Sequence, residues 1–211
     1  MVEKGPVVVV GAGGHAYPVL ELLDALGIEV AGLVDRRLDA PSILGRSVIA
    51  TIDDIAQLPS RGVWGAVIAI GNNEARLRLA DIAQATGLLL PTIVHPTALI
   101  SPSATLGEGT QVMARSFIGP KAALGRLVLV NTGAIVEHEC SIEDGAHIAP
   151  GSVLCGAVQV GKSCFVGPGS VVTLGRRIGS GSRLGAGSVL LNDLDPGMTA
   201  VGVPARVSIR P

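Results

Sequence analysis

The sequence predicts an α/β domain with a parallel sheet, followed by a solenoid of short parallel strands. Two observations carry the prediction. From Val94 onward, every sixth residue through Leu190 is Leu, Ile or Val. Upstream, the glycine-rich stretch Gly11-Ala12-Gly13-Gly14-His15-Ala16 joins a compact apolar run to a segment with helical spacing.

Taken in order, Pro6–Val10 reads as a first strand. Tyr17–Leu26 places Val19, Leu20, Leu22, Leu23 and Leu26 at helical spacing, with Gly27 as C-cap. Glu29–Val34 is a second strand ending at Asp35, which completes a β-α-β unit. Leu38–Ser47 reads as a loop and Ile52–Leu58 as a short helix. Gly65–Ile70 is a third strand, closed by Gly71-Asn72-Asn73. Glu74–Thr86 is helical and capped at Gly87, and Leu88–Val94 is a fourth strand. The expected boundaries are residues 1–92 for the α/β domain, 93–194 for the solenoid and 195–211 for a tail.

A period of six fits neither a 3.6-residue helix nor an antiparallel hairpin array, but it fits stacked rungs that each bury one aliphatic. Four residues after each aliphatic stands a mostly small residue, such as Ala98, Ser116, Cys140, Ser152 or Cys164; Val128, Val158, Arg176 and Leu194 are exceptions. Glycine often follows the aliphatic directly, as at Gly107, Gly119, Gly125 and Gly161, and is expected to supply unusual backbone angles at the corners. Three hexads make one coil, so residues eighteen apart should stack.

Aromatic residues make up only 2% of the 211-residue chain while Gly reaches 29, which suits a layered core. A net charge of −1 argues against nucleic acid or anionic membrane as partners. Cys140 and Cys164 occupy small-residue corners, so packing explains them and a reducing compartment is expected. The Val7–Val10 run is too short for a membrane span and lacks a signal-peptide layout, so the expected location is cytoplasmic.

The glycine turn has the G-x-G-x-x-G/A form between strand and helix, where backbone N–H groups can hold a phosphate. Ligands of open parallel sheets bind beyond the carboxyl ends of the strands. That rim collects Gly13, Gly14, His15, Asp35, Arg36, Asn72 and Asn73. The domain is too short for both halves of a dinucleotide fold, so a nucleoside diphosphate fits better than a nicotinamide cofactor. A ligand-free structural turn is the alternative.

The chain has four histidines: His15, His95, His138 and His147. In Glu137-His138-Glu139 a carboxylate adjoins an imidazole, so it can hold one ring nitrogen and make the other a better base. One coil above His138 stands Gly156, whose N–H could face a thioester oxyanion. His147 lies half a coil away and cannot stack on His138. A three-histidine zinc site is not expected, because only two histidines are well placed.

The hexads and the segments Asn131–Cys140 and His147-Ile148-Ala149-Pro150-Gly151 resemble the left-handed β-helix acetyltransferases of the sialic-acid O-acetyltransferase and bacillosamine N-acetyltransferase type. The resemblance covers essentially the whole chain. It implies acetyl transfer from acetyl-CoA to the C4 amine of a nucleotide-linked 4-amino-4,6-dideoxy sugar, GDP-perosamine or a UDP-linked analogue, without a metal. In that reading His138 is the general base and Glu139 raises its basicity. Gly13, Gly14, His15, Asp35, Arg36 and Asn73 hold the nucleotide sugar. His147, Gly156, Pro168 and Ala186 lie along acetyl-CoA. A homotrimer is implied, with flat solenoid faces packed about a threefold axis. Arg36 stands where some relatives carry a second acid, which leaves uridine and guanosine both open. O-acetylation of a sugar hydroxyl and a non-catalytic nucleotide-binding scaffold are the rival readings.

Overall fold

Four consecutive valines form strand β1 (Val7–Val10), buried throughout, at the centre of the N-terminal sheet in the computed structural model, which describes residues 5–208. Their β-branched side chains favour a strand packed on both faces. The chain then enters helix α1 (Ala16–Ala25), which buries Val19, Leu20, Leu22 and Leu23. Strand β2 (Val30–Asp35) pairs parallel to β1. A strand absent from the expected element order follows: β3 (Val48–Thr51), parallel to β2 at the sheet edge. The segment expected as a short helix over Ile52–Leu58 contains instead a 3-10 turn at Ile55–Gln57, and a second follows at Pro59–Arg61. Strand β4 (Gly65–Ile68) pairs with the other side of β1, and helix α2 (Asn73–Ala85) follows. The sheet order is therefore β3-β2-β1-β4, all parallel.

No full strand forms over Leu88–Val94. Leu89 makes only an isolated parallel bridge to Gly65, and Ile93–Val94 is already a rung strand of the solenoid. The chain divides into two compact units, Met1–Ile93 and Val94–Pro211.

The second unit is a parallel β-helix with three sheets. The six-stranded sheet carries the inward ladder Ile100, Ile118, Val136, Leu154, Val172 and Leu190 in consecutive register. From Ile118 to Leu190 these side chains are almost fully buried. The two other sheets carry Leu106, Leu124, Ile142, Val160 and Ile178, and Val112, Val130, Ile148, Val166 and Leu184. Each step is eighteen residues, as expected from three hexads per coil.

The small residue of each corner has a second task. Its hydroxyl or thiol donates to the carbonyl fifteen residues ahead: Thr110 to Gly125, Ser116 to Asn131, Cys140 to Cys155, Ser152 to Gly167 and Ser170 to Gly185. Small polar residues thus tie each corner carbonyl to the neighbouring coil; those of Asn131, Gly167 and Gly185 also accept the N–H three residues on.

The corner glycines do not take the unusual backbone angles expected of them. Those directly after the aliphatic have ordinary φ; the left-handed position is two residues later, at Arg115, Lys121, Glu139, Gly145, Gly151 and their equivalents. Gly119 and its kind are small because the coils approach closely there. A Cβ on Gly119 would lie 2.8 Å from the Glu137 carbonyl carbon.

The final coil is shortened. Arg183–Leu184 pairs with Thr199–Ala200, and Ile178 bridges to Leu194, each an offset of sixteen. Leu194 therefore does not occupy a small-residue corner but fills an aliphatic rung. Beyond it, where a tail was expected, Thr199–Val201 and Arg206–Val207 add two strands to a sheet and bury Ala200. Among the described residues no helix is long and apolar enough to cross a membrane.

Candidate active site

His138 sits at the corner that leaves the six-stranded sheet, two residues after Val136. Its side chain is about half exposed, and so is that of Glu139. Glu139 adopts the left-handed corner conformation, φ 58°, and turns its carboxylate back on the preceding residue. His138 Nδ1 lies 3.2 Å from Glu139 Oε2. With the proton on Nδ1, that nitrogen donates to the carboxylate and leaves Nε2 as the basic atom.

Nε2 faces the coil above. A Cβ on Gly156 would lie 2.5 Å from both Cε1 and Nε2 of His138, so the ring rests directly over the glycine. Gly156 is buried, and its N–H has no hydrogen-bond partner among the described residues. The Ala157 N–H donates instead to the His138 carbonyl, which locks the two corners together (2.8 Å). A base and a backbone donor thus share one small patch, the pair needed to take a proton from an attacking group and to hold charge on a carbonyl oxygen.

Cys140, two residues from His138, is buried and donates to the Cys155 carbonyl at 3.2 Å. Burial pushes its thiol pKa up to about 11. A nucleophilic cysteine needs the opposite shift.

The other residues expected along acetyl-CoA lie elsewhere on the β-helix. His147 is a strand residue of a different sheet, 8% exposed. Its ring packs edge-on to Phe165 with centroids 5.2 Å apart, and its Nε2 lies 3.2 Å from Asn131 Nδ2. Pro168 and Ala186 stack at the opposite edge of the six-stranded sheet, where the Gly187 N–H donates to the Pro168 carbonyl (2.8 Å). Within one chain, then, His138, Glu139 and Gly156 come together, while Pro168 and Ala186 stand across a sheet from them. Among the described residues no three His, Cys, Asp or Glu side chains cluster as a metal site would require.

The α/β unit holds a cavity of about 930 Å³ at the carboxyl ends of its strands. Its floor is Val10, Gly11, Val34 and Ile70; one wall is Asp35, Arg36, Thr51, Ile52 and Asp53; the other is Asn72 with Ala75, Arg78, Leu79 and Ile82 of α2. Asp35 is fixed at its mouth, accepting the Ala12 N–H on Oδ2 and the Arg36 N–H on Oδ1, each at 2.7 Å.

Gly13 and Gly14 are exposed at the start of α1, beside His15 at the N-cap, whose side chain makes no cap hydrogen bond. Neither glycine has positive φ, and a Cβ on either would meet nothing within 4 Å. Gly11 is different: at φ 113° its Cβ would lie 2.6 Å from Ile70 Cδ1 and 2.9 Å from the Ala69 carbonyl oxygen. The turn itself requires Gly11. The fold gives no steric reason for Gly13 and Gly14.

Asn73 does not line the cavity. It is buried in the first turn of α2, and its Oδ1 accepts from Arg76 Nη2 at 3.0 Å. Arg76, 1% exposed, also donates to the Ile70 carbonyl, and burial lowers its pKa to about 10. Asn72 is the member of the pair on the cavity wall, and its Oδ1 caps α2 through the Ala75 N–H (2.9 Å). Sequence reasoning missed Thr51–Asp53 because it missed β3, the strand that delivers them. Ala75, Arg78, Leu79 and Ile82 were legible in principle, since their spacing marks one helix face.

The PglD N-terminal domain matches residues 6–83, and the bacterial transferase hexapeptide (six repeats) matches residues 139–174. A solved structure of perosamine N-acetyltransferase from Caulobacter crescentus, a His-to-Asn variant in complex with CoA and GDP-perosamine, is 39% identical with a TM-score of 0.94, each chain 97% covered. The acetyltransferase domain of PglB from Neisseria gonorrhoeae, in complex with acetyl coenzyme A, is 36% identical with a TM-score of 0.92 over 97% of this chain and all of that one. UDP-N-acetylbacillosamine N-acetyltransferase of Bacillus subtilis is 34% identical over 119 residues, 51% of each protein. This chain spans about half or less of the length of the curated relatives it matches. It belongs to the hexapeptide-repeat sugar N-acetyltransferases of the perosamine and bacillosamine type, joined to a PglD-type N-terminal domain.

Proposed function

We propose that this protein transfers the acetyl group of acetyl-CoA to the C4 amine of a nucleotide-linked 4-amino-4,6-dideoxy sugar, with His138 as general base. The observation that carries the reading is the corner itself: an exposed imidazole, held on Nδ1 by Glu139, presents Nε2 over an unsubstituted glycine. The free amine attacks the thioester carbonyl carbon and forms the C–N bond. Nε2 of His138 takes the amine proton, and the Gly156 N–H supports the carbonyl oxygen as it gains charge. The C–S bond then breaks, and the thiolate leaves as CoA, taking up the proton that Nε2 of His138 accepted. The products are an acetamido sugar nucleotide and CoA. Cys140 takes no part, because it is buried and spent on a corner carbonyl.

The α/β unit supplies recognition in this reading. The unhindered backbone at Gly13 and Gly14, at the positive end of α1, suits a diphosphate. Asp35 at the cavity mouth suits a ribose, with Arg36 beside it.

The assembly is a trimer in the same reading. Opposite its buried ladder, the six-stranded sheet turns out Leu99, Phe117, Ile135, Val153, Val171 and Val189, an unbroken apolar column in register. The five-stranded sheet presents Thr105, Ala123, Ser141, Gln159 and Arg177 in the same place. An apolar face of that length asks for a partner. Packing three such faces about an axis brings the His138 edge of one copy to the Pro168–Ala186 edge of the next, so residues that do not meet within one chain meet across the assembly.

The test is a panel of GDP- and UDP-linked 4-amino sugars incubated with acetyl-CoA, read by mass spectrometry. The expected result is a single acetyl group on one of them, with one CoA released per product. CoA release without an acetylated sugar would defeat the proposal.

A further inference from the structure

The cavity in the α/β unit carries a charge pattern that diphosphate binding leaves unused. Three carboxylates stand near its outer wall. Asp35 accepts a backbone N–H on each oxygen, which fixes it at the mouth, where the proposed function puts the ribose. Asp54 spends Oδ2 on the Thr51 hydroxyl and Oδ1 on the Gln57 amide, at 2.6 and 3.2 Å, and does not line the cavity. Asp53 does line it, is exposed, and has no hydrogen bond or ion pair among the described residues. The cations divide the same way. Arg37 is paired with Asp39, whereas Arg36 and Arg78 line the cavity without an ion pair among the described residues.

The remaining walls are aliphatic. Ile52 stands on one side and Leu79 and Ile82 on the other, with Ile70 on the floor. The result is a slot with apolar faces, one uncommitted carboxylate and two guanidinium groups at its rim. That is the layout of a site for a flat heterocycle read along its edge.

We infer that Asp53 selects the nucleobase and that the base it selects is guanine. The inference rests on the reading of this unit as a nucleotide-sugar site. Guanine offers two adjacent donors, N1–H and the 2-amino group, which a carboxylate accepts together, and its O6 and N7 acceptors match an arginine fork. Uracil offers one N–H flanked by two carbonyl oxygens, so a carboxylate there gains one hydrogen bond and faces two repelling acceptors. Adenine sets a donor beside an acceptor and also satisfies only one carboxylate oxygen. Arg36 or Arg78 supplies the fork, and Asp53 supplies the discrimination.

The experiment measures binding of GDP, UDP and inosine diphosphate to the full chain and to Asp53→Asn by calorimetry, with a melting curve for each protein. Inosine diphosphate lacks only the 2-amino group. The wild-type protein should bind GDP about tenfold or more tighter than UDP or inosine diphosphate. The variant should lose about tenfold for GDP, bind GDP and inosine diphosphate alike, change little for UDP, and melt as the wild type does. An unchanged preference in Asp53→Asn overturns the role of Asp53 and leaves the nucleotide site intact. A wild-type preference for UDP overturns guanine alone. Binding of none of the three overturns the nucleotide-site reading together with this inference.

Discussion

In the β-helix a side chain's position is set by its place in an eighteen-residue repeat; in the α/β unit it is set by where strands of unequal length end. The consequences differ. The repeat stacks Gly156 on His138 through pure register, the same register that stacks Leu154 on Val136. The cavity of the α/β unit collects residues from strand ends, a post-strand turn and a helix face, each placed by its own local geometry. In the proposed function the first arrangement performs the chemistry and the second chooses what is brought to it. Substitutions in the two regions should therefore separate cleanly, turnover in one and affinity in the other.

The largest separation is expected at Gly156. Its Cα carries no strain, and the atoms a Cβ would meet are the end of a side chain that can swing away. Gly156→Ala should fold and melt like the wild type, yet displace the His138 ring and lower kcat by about 10² or more, within the range a general base contributes. Binding of the sugar nucleotide, measured by calorimetry, should not change.

Next comes the turn in the α/β unit, where two glycines should behave oppositely. Gly11→Ala forces a Cβ into Ile70 and the Ala69 carbonyl at positive φ, and should lower Tm by several degrees. Gly13→Ala places its methyl in open space and should leave Tm unchanged while weakening nucleotide-sugar binding by about tenfold, by crowding the phosphate. Equal affinity in Gly13→Ala and wild type would make this a structural turn only.

Glu139 sharpens the contrast between fold and function at a single residue. It occupies a left-handed corner where its neighbours along the coil are often glycine. Such a conformation costs roughly 1 kcal/mol for a residue with a Cβ. Glu139→Gly should therefore melt at or above the wild-type temperature while kcat falls by about tenfold, because Nδ1 of His138 loses its acceptor.

The smallest effect concerns the buried thiols. Burial raises the Cys140 and Cys164 thiols from the ordinary 9.0 to about 11. The folded state holds those protons more firmly than the unfolded chain does. The stability they contribute is therefore complete below about pH 9 and declines as pH rises towards 11. Urea melts across that window should show a shallower decline in a Cys140→Ser, Cys164→Ser double variant, whose hydroxyls can still reach the corner carbonyls.

How much was legible in the sequence follows the same division. The hexads located every rung from Val94 to Leu190, and a step of eighteen put Gly156 over His138. The repeat misled at the corner glycines, whose left-handed position lies two residues later, and where it was broken: the last coil drops two residues, so Leu194 seemed to fill a small-residue corner and Asp195 onward seemed a tail. In the α/β unit the glycine turn and both long helices were readable from spacing. The edge strand Val48–Thr51 was not, because four residues with only Ala50 buried show too little alternation to stand out from the loop before them. The run Val48-Ile49-Ala50-Thr51-Ile52, β-branched at all but Ala50, was the signal available. Asn73 was assigned to the rim for its position after a strand, yet a helix begins there, and its first turn points Asn73 inward to Arg76.

The claim that binds both regions together is that His138 does chemistry and no binding. The direct measurement is steady-state kinetics of His138→Ala with acetyl-CoA and the preferred nucleotide-linked amino sugar, following the acetylated product by mass spectrometry. The account predicts that kcat falls by about 10²–10⁴ while KM for both substrates stays within about threefold of the wild type. Turnover within tenfold of the wild type would contradict it, and would remove His138 from the reaction.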